Sequence, residues 1–359
     1  MKILIVPDSF KGSLSSNEVC ETLKNSIKSN FKNYEVKAIP FSDGGEGFCE
    51  CYNEIANGEK ICLDTLGTFL EMQKSFYIKN NDTAVIESAC ASGLKNKKDI
   101  LNSSTYGTGQ IIKHAIENGC NTIVLGLGGT GTNDGGIGAL SAIGVEFYNK
   151  NNKILEPISK NLNEISYIST KNVSENIKKA KFIYATDVTN EFYGKNGAAY
   201  VFAKQKGATE NQISELDKGL QNLNNVFIKQ FGTDVQNIKG SGAAGGLCGG
   251  LYAIFSGKIK SGFDFLSEYS QLEKEIEKAD IVITGEGKTD KQTLMGKLPS
   301  KIYELCKKHN RKCFIISGII ENVSFADKMI SLKNNDISTE YSIIHAKELL
   351  EANVIKLLQ

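Results

Sequence analysis

A chain of 359 residues is longer than one typical hydrophobic core requires, so its length predicts about two domains. The formal net charge of +1 gives no basic footprint for nucleic acid or anionic membrane, which favours a small-molecule partner. Nine cysteines, an odd number without a CxxC pair, indicate neither a disulfide framework nor a zinc site. Because Asp8 and Lys11 interrupt the apolar N-terminus, no signal peptide is expected, and the expected compartment is the cytosol.

The N-terminal stretch has the pattern of a strand followed by a helix. Residues Lys2–Val6 are nearly all branched and apolar, which is typical of a parallel strand buried on both faces. A capping box, Ser15 with Glu18, then begins a helix whose apolar residues recur every four positions. Ligands of open parallel sheets bind at the carboxyl ends of strands. The polar residues between this strand and helix are therefore candidate site residues: Asp8, Ser9 and Lys11.

The next segments first repeat this pattern and then leave it. A second strand, Tyr34–Ile39, leads to a glycine-rich turn that contains Asp43, and then to a helix over Phe48–Ala56. A further helix is expected over Thr105–Glu117. Between these helices, short strands separated by turn residues predict an antiparallel meander of Ile61–Thr65, Gln73–Lys79 and Thr83–Ser88.

The glycine-rich segment Leu125–Gly138 is the part of the chain that a folding requirement explains least. A strand, Thr122–Leu125, precedes it, and a helix, Ile137–Ile143, follows it. Small residues here let backbone N–H groups approach an oxygen-rich ligand, and the helix dipole favours negative charge, so phosphate is the first ligand to consider. The candidate residues of this turn are Gly128, Gly129, Thr130, Gly131, Asn133 and Asp134.

The same segment leaves two alternative functions open. It contains the spacing Gly126-x-Gly128-x-x-Gly131 after a strand, with Glu146 further along. This pattern is found in nicotinamide-dependent oxidoreductases, which bind a dinucleotide at such a turn. A non-catalytic nucleotide-binding module is the second alternative.

Further along the chain, more strand ends carry acidic or glycine residues. The strand Phe182–Thr186 ends at Asp187, and a plain scaffold helix is expected over Glu210–Phe231. A turn of small residues, Gly242–Gly246, then opens a helix that runs through Phe255. The candidate ligand-binding glycines of this turn are Gly242 and Gly245.

The C-terminal part returns to the parallel pattern. The strand Asp280–Thr284 precedes two candidate acidic residues, Glu286 and Asp290. The remaining predicted elements are helix Gln292–His309, strand Lys312–Ser317, helix Asn322–Met329, strand Tyr341–Ile344 and helix Ala346–Leu358. With the two N-terminal strands this makes five βα units, which predicts an α/β fold with one flavodoxin-like parallel sheet. Residues 1–60 and 276–359 are expected to form this domain, with residues 61–275 inserted as a second α/β domain.

The side chains at these strand ends fit phosphoryl transfer. Acidic groups can hold Mg²⁺ and accept a hydroxyl proton, a lysine neutralises the transferring oxygens, and N–H groups hold phosphates. The chain is not a P-loop protein, because Val282 stands where the first glycine of a loop ending in Gly287-Lys288-Thr289 should be. The three histidines adjoin no glycine cluster, which disfavours a Ser-His-Asp hydrolase or a histidine metal centre.

Six motifs follow one another in order over nearly the whole chain: Pro7–Ser13, Ser42–Gly47, Ser103–Gly109, Gly128–Gly136, Gly242–Gly246, and Thr284–Gly287 with Asp290, Gln292 and Thr293. Together they resemble the bacterial type I glycerate kinase family. The resemblance implies a flavodoxin-like domain, a restriction-enzyme-like α/β domain and an active site in the interdomain cleft. It also implies transfer of a phosphoryl group from ATP to D-glycerate, with 2-phosphoglycerate as the usual product and 3-phosphoglycerate as the other.

Two segments depart from the family pattern, and each lacks one proline. Asp187–Phe192 stands for the family's Asp-Val-x-Asn-Pro-Leu, and Phe202–Gly207 stands for its Phe-Gly-Pro-Gln-Lys-Gly. The polar residues of both segments remain: Asp187, Asn190, Gln205 and Lys206. We therefore expect looser loops with the same chemistry.

On this interpretation, the catalytic and substrate-binding roles fall to residues from both predicted domains. Asp8 is the first candidate to accept the hydroxyl proton, and Asp134 is the second. Lys11 and helix N-terminal N–H groups near Ser9 are expected to hold the carboxylate of glycerate. The other predicted substrate-binding residues are Asp43 and Asn133.

The remaining candidates are assigned to ATP and Mg²⁺. The metal is expected at Asp187, which thereby takes part in catalysis, or at Asp43. The predicted nucleotide-binding residues are Gly128, Gly129, Thr130, Gly131, Gly242, Gly245, Glu286 and Asp290. No nucleic-acid or membrane partner is expected, and the sequence is compatible with a homo-oligomer.

Overall fold

The computed structural model describes residues 1–42 and 44–359, so the candidate Asp43 lies outside the described residues. The strands are β1 (Lys2–Ile5), β2 (Glu35–Ala38), β3 (Glu59–Leu66), β4 (Met72–Asn80), β5 (Thr83–Glu87), β6 (Thr122–Gly126), β7 (Glu146–Tyr148), β8 (Tyr167–Ser169), β9 (Lys181–Ala185), β10 (Lys258–Lys260), β11 (Ile281–Thr284), β12 (Lys288–Thr289), β13 (Lys312–Ser317), β14 (Ile319–Ile320) and β15 (Lys328–Ser331). The helices are α1 (Ser16–Asn30), α2 (Phe48–Ala56), α3 (Ser88–Ser92), α4 (Tyr106–Glu117), α5 (Ile137–Ala142), α6 (Glu175–Lys179), α7 (Glu210–Phe231), α8 (Leu247–Phe255), α9 (Gly262–Ser270), α10 (Leu272–Lys278), α11 (Leu298–Lys308), α12 (Thr339–Ile344) and α13 (Ala346–Leu358).

The chain divides into two compact units. Unit 1 consists of Met1–Asp43, Glu50–Ile55 and Phe263–Gln359, and unit 2 consists of Gly44–Cys49 and Ala56–Gly262. The long segment of unit 2 thus interrupts the chain of unit 1. The predicted insertion, residues 61–275, begins and ends later along the chain than this segment.

Unit 1 contains a five-stranded sheet in the order β15-β13-β11-β1-β2, and all of its neighbouring strands are parallel. Numbered along the chain, this is the order 2-1-3-4-5, which is the flavodoxin-like arrangement. The core packs the apolar strands against α1 and α13, with Ile5, Leu23, Ile283 and Val354 fully buried. The predicted flavodoxin-like parallel sheet is therefore confirmed.

The predicted position of the fifth strand is wrong. A helix was expected over Asn322–Met329 and a strand over Tyr341–Ile344, but the strand is β15 and the second segment lies in helix α12. The Tyr341 N–H donates to the Ser338 hydroxyl at 3.0 Å, which caps α12. Strand β15 is partly exposed at the sheet edge and lacks the continuous apolar run that marks a central strand.

The predicted helix Gln292–His309 also begins later than expected. A short 3₁₀ turn, Thr293–Met295, ends at the left-handed Gly296, and α11 then starts at Leu298 with Pro299 in its first turn. Proline has no N–H to donate and fits the first turn of a helix better than its interior.

Unit 2 contains a six-stranded sheet in the order β10-β9-β6-β5-β4-β3. Strands β10, β9, β6 and β5 run parallel to one another, whereas β5, β4 and β3 form the predicted antiparallel meander. The scaffold helix α7 has the predicted bounds and begins with a capping box between Thr209 and Gln212. In the described part of the chain, every helix is too short or too polar to span a lipid bilayer.

The start of α1 gives a test of the capping interaction in unit 1. The Glu18 N–H donates to the Ser15 hydroxyl at 3.3 Å, and the Ser15 N–H donates to the Glu18 carboxylate at 2.8 Å. Replacing Ser15 by Ala removes the first bond, and we expect a loss of about 1 kcal/mol in the free energy of unfolding, measured in urea. The control Ser29→Ala changes an exposed serine in the same helix and should be neutral; equal losses in both variants would contradict the role of the cap.

Candidate functional site

The loops after two neighbouring strands of unit 1 lie against each other. The Asp8 N–H donates to the Gly285 carbonyl at 2.9 Å, and a Cβ at Gly287 would lie 3.2 Å from the backbone nitrogen of Lys11. Strands β1 and β11 are paired in parallel, so their carboxyl ends fall at the same edge of the sheet. The structure thus brings the Asp8–Lys11 loop next to the loop that carries Glu286.

The candidate side chains at this edge of the sheet differ in exposure to solvent. Lys11 is exposed, whereas Asp8 and Ser9 are partly buried, and the Ser9 N–H donates to the Asp8 carboxylate at 2.7 Å. Helix α1 begins only at Ser16, so the helix N-terminal N–H groups that were expected near Ser9 are not there. Ser9 lies in a loop instead.

Glu286 is the buried centre of the neighbouring loop. Its carboxylate accepts hydrogen bonds from the hydroxyls of Thr293 at 2.5 Å and Thr289 at 3.3 Å, and lies 3.6 Å from the Lys297 ammonium. Burial raises the pKa of Glu286, and the Thr293 hydroxyl and the Lys297 charge oppose that rise. Asp290 is partly buried in the same loop and accepts a hydrogen bond from the Gln292 N–H at 2.8 Å. Glu286 therefore holds this loop in place.

In unit 2, the glycine turn after β6 is built around the buried carboxylate of Asp134. One oxygen accepts from the Thr105 N–H and hydroxyl, both at 2.7 Å, and from the Gly138 N–H at 3.1 Å. The other oxygen accepts from the Gly136 N–H at 3.1 Å. Burial raises the pKa of the Asp134 carboxyl, and these hydrogen bonds oppose the rise. This carboxylate therefore joins the starts of α4 and α5 to the turn.

The second glycine turn of unit 2 packs directly on the first. The Gly135 N–H donates to the Gly245 carbonyl at 3.0 Å. Gly245 has a φ of +67°, and a Cβ there would overlap the carbonyl of Thr132 and lie 2.7 Å from the Cα of Asn133. Both the backbone conformation and the space exclude a larger residue here. The candidates Gly242, Gly245 and Asn133 are thus brought together with the first turn.

Several buried polar atoms on these two turns have no hydrogen-bond partner in the described residues. They are the hydroxyl oxygens of Thr132 and Ser241 and both amide atoms of the Asn133 side chain. The backbone N–H groups of Thr132 and Asn133 likewise donate to no acceptor in that part of the chain. Buried polar groups are normally paired, so these hydroxyl, amide and backbone N–H groups are candidate contacts for an oxygen-rich ligand.

Lys206 also lies at this site, although the sequence interpretation gave it no role. Its ammonium is buried and donates to the Thr132 carbonyl at 2.7 Å and to the Thr130 hydroxyl at 3.4 Å. Burial lowers the pKa of Lys206 to about 8, and the nearby Asp134 charge opposes that shift. The sequence feature that could have identified Lys206 is its position in the Phe202–Gly207 segment, which matches the family pattern. Ser241, which precedes the first glycine of its turn, was missed as well.

The predicted metal residue Asp187 follows β9 and is exposed. Its loop lies beside the second glycine turn, because the Gly242 N–H donates to the Asn190 carbonyl at 3.1 Å. Within residues 1–42 and 44–359, no group of three or more His, Cys, Asp or Glu side chains is arranged to hold a metal ion. Magnesium commonly takes only one or two carboxylates and the phosphates of its substrate, so a single exposed Asp187 fits such a site.

Known proteins are similar to this chain over nearly its whole length. A sequence profile with the description "Glycerate kinase family" matches residues 3–359. The chain is 36% identical over 353 residues to the glycerate kinase of Bacillus cereus, covering 97% of this chain and 88% of that protein. It is 34% identical over 350 residues to the glycerate 2-kinase of Escherichia coli K12, with 96% and 91% covered.

A solved structure is also similar over nearly the whole chain. The crystal structure of a candidate glycerate kinase 2 from Salmonella typhimurium LT2 matches with a TM-score of 0.88 at 31% identity, covering 99% of this chain and 96% of that one. The fold and these similarities define an α/β kinase. The chain belongs to the glycerate kinase family, as its motifs predict.

The role of Asp134 can be tested through stability. Asp134→Asn replaces one acceptor oxygen by an NH₂ group that faces N–H donors, so we expect a loss of about 2–4 kcal/mol in the free energy of unfolding. Urea denaturation measures this, with the exposed Asp64→Asn as a control that should change little. A variant with normal stability and no turnover would instead assign Asp134 to the chemistry.

The pKa of Lys206 predicts a pH dependence of stability. Between pH 8 and 10.5 the unfolded chain holds a proton on this lysine that the folded chain has lost, so the free energy of unfolding rises with pH over that range. The difference between the wild type and Lys206→Met, measured by urea denaturation at several pH values, should show this rise as a few kcal/mol. A pH-independent difference would contradict it.

Proposed function

We propose that this protein transfers the γ-phosphoryl group of ATP to a hydroxyl of D-glycerate, giving ADP and 2-phosphoglycerate, with 3-phosphoglycerate as the alternative product. Family membership and the names of the relatives support the substrate. The observation that carries the phosphate chemistry is the set of buried, unpartnered polar groups of Thr132, Asn133 and Ser241 on two packed glycine turns.

The phosphates of ATP are assigned to unit 2. Hydroxyl, amide and ammonium groups at the two turns are hydrogen-bond donors, and such groups stabilise the negative charge on transferring phosphate oxygens. Thr130 is included among the phosphate-binding residues because its hydroxyl accepts a hydrogen bond from the Lys206 ammonium. The glycines let the backbone approach the phosphates closely. The glycines in this role are Gly128, Gly129, Gly131, Gly242 and Gly245.

Glycerate is assigned to the carboxyl edge of the sheet in unit 1. The exposed Lys11 pairs with the substrate carboxylate, and Ser9 offers its hydroxyl beside it. Asp8 accepts the hydroxyl proton while the substrate oxygen bonds to the γ-phosphorus and the bond from that phosphorus to the β,γ-bridging oxygen breaks. Asp134 is assigned to holding the turn, since both of its oxygens already accept hydrogen bonds.

When bound, Mg²⁺ supplies neutralising charge to the phosphate oxygens. Asp187 would hold it, because this carboxylate is exposed beside the second glycine turn. Asp43 remains the other proposed ligand. Glu286 fixes the loop in which Asp290 lies, and Asp290 is assigned to the nucleotide.

The two alternative functions are less well supported. In the dinucleotide fingerprint an acidic residue must bind the ribose, but Glu146 accepts hydrogen bonds from the Tyr148 hydroxyl at 2.8 Å and the Asn172 amide at 3.1 Å. It therefore stabilises the antiparallel pair of β7 and β8 and the loop that follows β8. A purely nucleotide-binding module gives no account of the similarity to glycerate kinases along the whole chain.

A coupled assay with D-glycerate, ATP and Mg²⁺ tests the proposal directly. Formation of ADP that depends on glycerate supports it, and phosphorus NMR of the product assigns the phosphorylated hydroxyl. Thermal stabilisation by NADH but not by ATP, with no product, would favour the oxidoreductase. ATP binding without any phosphorylated product would favour the non-catalytic module.

Lys11→Met should strongly reduce activity with glycerate without unfolding the protein. Lys11 is exposed and forms no ion pair among the described residues, so removing its charge leaves the fold unaffected. We expect kcat/KM for glycerate to fall by roughly 100-fold or more, as for loss of a charge-assisted bond to a carboxylate. The control Lys32→Met removes an exposed lysine elsewhere in unit 1. Near-normal turnover of Lys11→Met rules out the assigned role.

A further inference from the structure

We infer that Lys206 is the phosphate-contacting cation of the nucleotide site, an inference that rests on the proposed function. The family resemblance implied no specific role for Lys206. The alternative is a structural role, in which Lys206 only ties the first glycine turn to its own segment through the Thr132 carbonyl.

The backbone around Lys206 places this one lysine inward. A π-helical turn, Ala199–Ala203, runs into a 3₁₀ turn, Lys204–Lys206, and the left-handed Gly207 ends it. π-Helical turns are rare in proteins, and they are often found at functional sites. Two positions before Lys206, Lys204 is exposed and pairs with Glu210 at 3.2 Å. The same short segment therefore offers a solvated lysine as a matched control.

The Lys206 ammonium is buried without a counter-ion. It has three N–H groups, and its two acceptors, the Thr132 carbonyl and the Thr130 hydroxyl, are uncharged. It forms no ion pair within the described part of the chain. Asp134 is the nearby charge, but its oxygens accept from Thr105, Gly136 and Gly138. A buried cation without an ion-pair partner is costly, and an arriving anion lowers that cost.

An independent observation identifies the kind of ligand. Thr132 presents its carbonyl to the ammonium, while its own hydroxyl has no partner among the described residues. The side-chain amide of Asn133 and the hydroxyl of Ser241 are buried and unpartnered on the same two turns. Hydroxyls, an amide and an ammonium together suit an oxyanion with several oxygens, such as a polyphosphate.

A Lys206 that contacts phosphate changes its protonation when ATP binds, whereas a structural clamp does not. Near pH 8 about half of the Lys206 side chains are neutral in the free protein, because burial lowers the pKa. A bound polyphosphate stabilises the charged form, so ATP binding should be accompanied by proton uptake. ATP itself is fully deprotonated at that pH, and a clamp that never meets the ligand predicts no uptake.

The experiment is titration calorimetry of the full-length protein with ATP and, separately, with adenosine at pH 8, in buffers of different ionisation enthalpy. For the wild type we expect uptake of about half a proton with ATP and none with adenosine. Lys206→Met should weaken ATP binding by roughly 10- to 100-fold, leave adenosine binding unchanged and abolish the uptake. Lys206→Arg should restore part of the ATP affinity, and Lys204→Met should behave as the wild type.

The outcomes separate this inference from the proposed function. A folded Lys206→Met variant that binds ATP as tightly as the wild type overturns the role of Lys206 and leaves the kinase assignment intact. Equal losses of ATP and adenosine affinity in Lys206→Met also overturn it, in favour of the clamp. Lysine-dependent uptake in a protein that phosphorylates no glycerate supports the inference and overturns the substrate. If Lys206→Met fails to fold, Lys206→Arg keeps the test decisive: it should retain part of the ATP affinity without proton uptake, and proton uptake equal to that of the wild type would overturn the inference.

Discussion

The buried carboxylate of Asp134 is the interaction on which the geometry of unit 2 depends. It accepts hydrogen bonds from Thr105 ahead of α4 and from Gly136 and Gly138 at the start of α5. Each bond satisfies a helix-terminal N–H group that would otherwise be buried without a partner. Because these bonds fix the turn from both sides, Thr132 and Asn133 can keep unpartnered polar groups without the loop rearranging to satisfy them.

Glycine is required where the two turns meet. A side chain at Gly245 would occupy the position of the Thr132 carbonyl, which is the group that also receives the Lys206 ammonium. Close packing of backbone on backbone thus places the donors of both turns side by side. In the proposed function, the fold holds these donors in place before the ligand binds, and preorganised donors need little rearrangement during a reaction.

Much of the fold follows from local sequence patterns, and the errors occur where the pattern is short. The continuous apolar runs of β1, β11 and β13 identify central parallel strands. Strand β15 was not predicted because an edge strand is only half buried, whereas Tyr341–Ile344 has three large apolar side chains among its four residues and lies on a capped helix. Four residues are too few to separate a strand from a helix by periodicity.

The site was predictable to the extent that glycine and acidic residues cluster along the sequence. The turns at Gly128–Gly136 and Gly242–Gly246 were identified in this way, and they pack together as candidates for one site. The structural role of Asp134 was not predictable, because its carboxylate accepts a hydrogen bond from Thr105, which lies 29 residues away in the chain. The burial of Lys206 depends on contacts with a turn 74 residues away, so no local pattern distinguishes it from its solvated neighbour Lys204.

The pairing of β1 with β11 has a consequence for biosynthesis. Ile3 pairs with Ile281, so β1 leaves the ribosome long before its neighbour β11 has been translated. Until then β2 is the available partner, and the opposite edge of an apolar strand stays open. Unit 2, whose long segment ends at Gly262, is complete earlier in translation. In a nascent chain truncated before β11, unit 2 would therefore be folded while the sheet of unit 1 is still incomplete. Chaperones would have to protect this state.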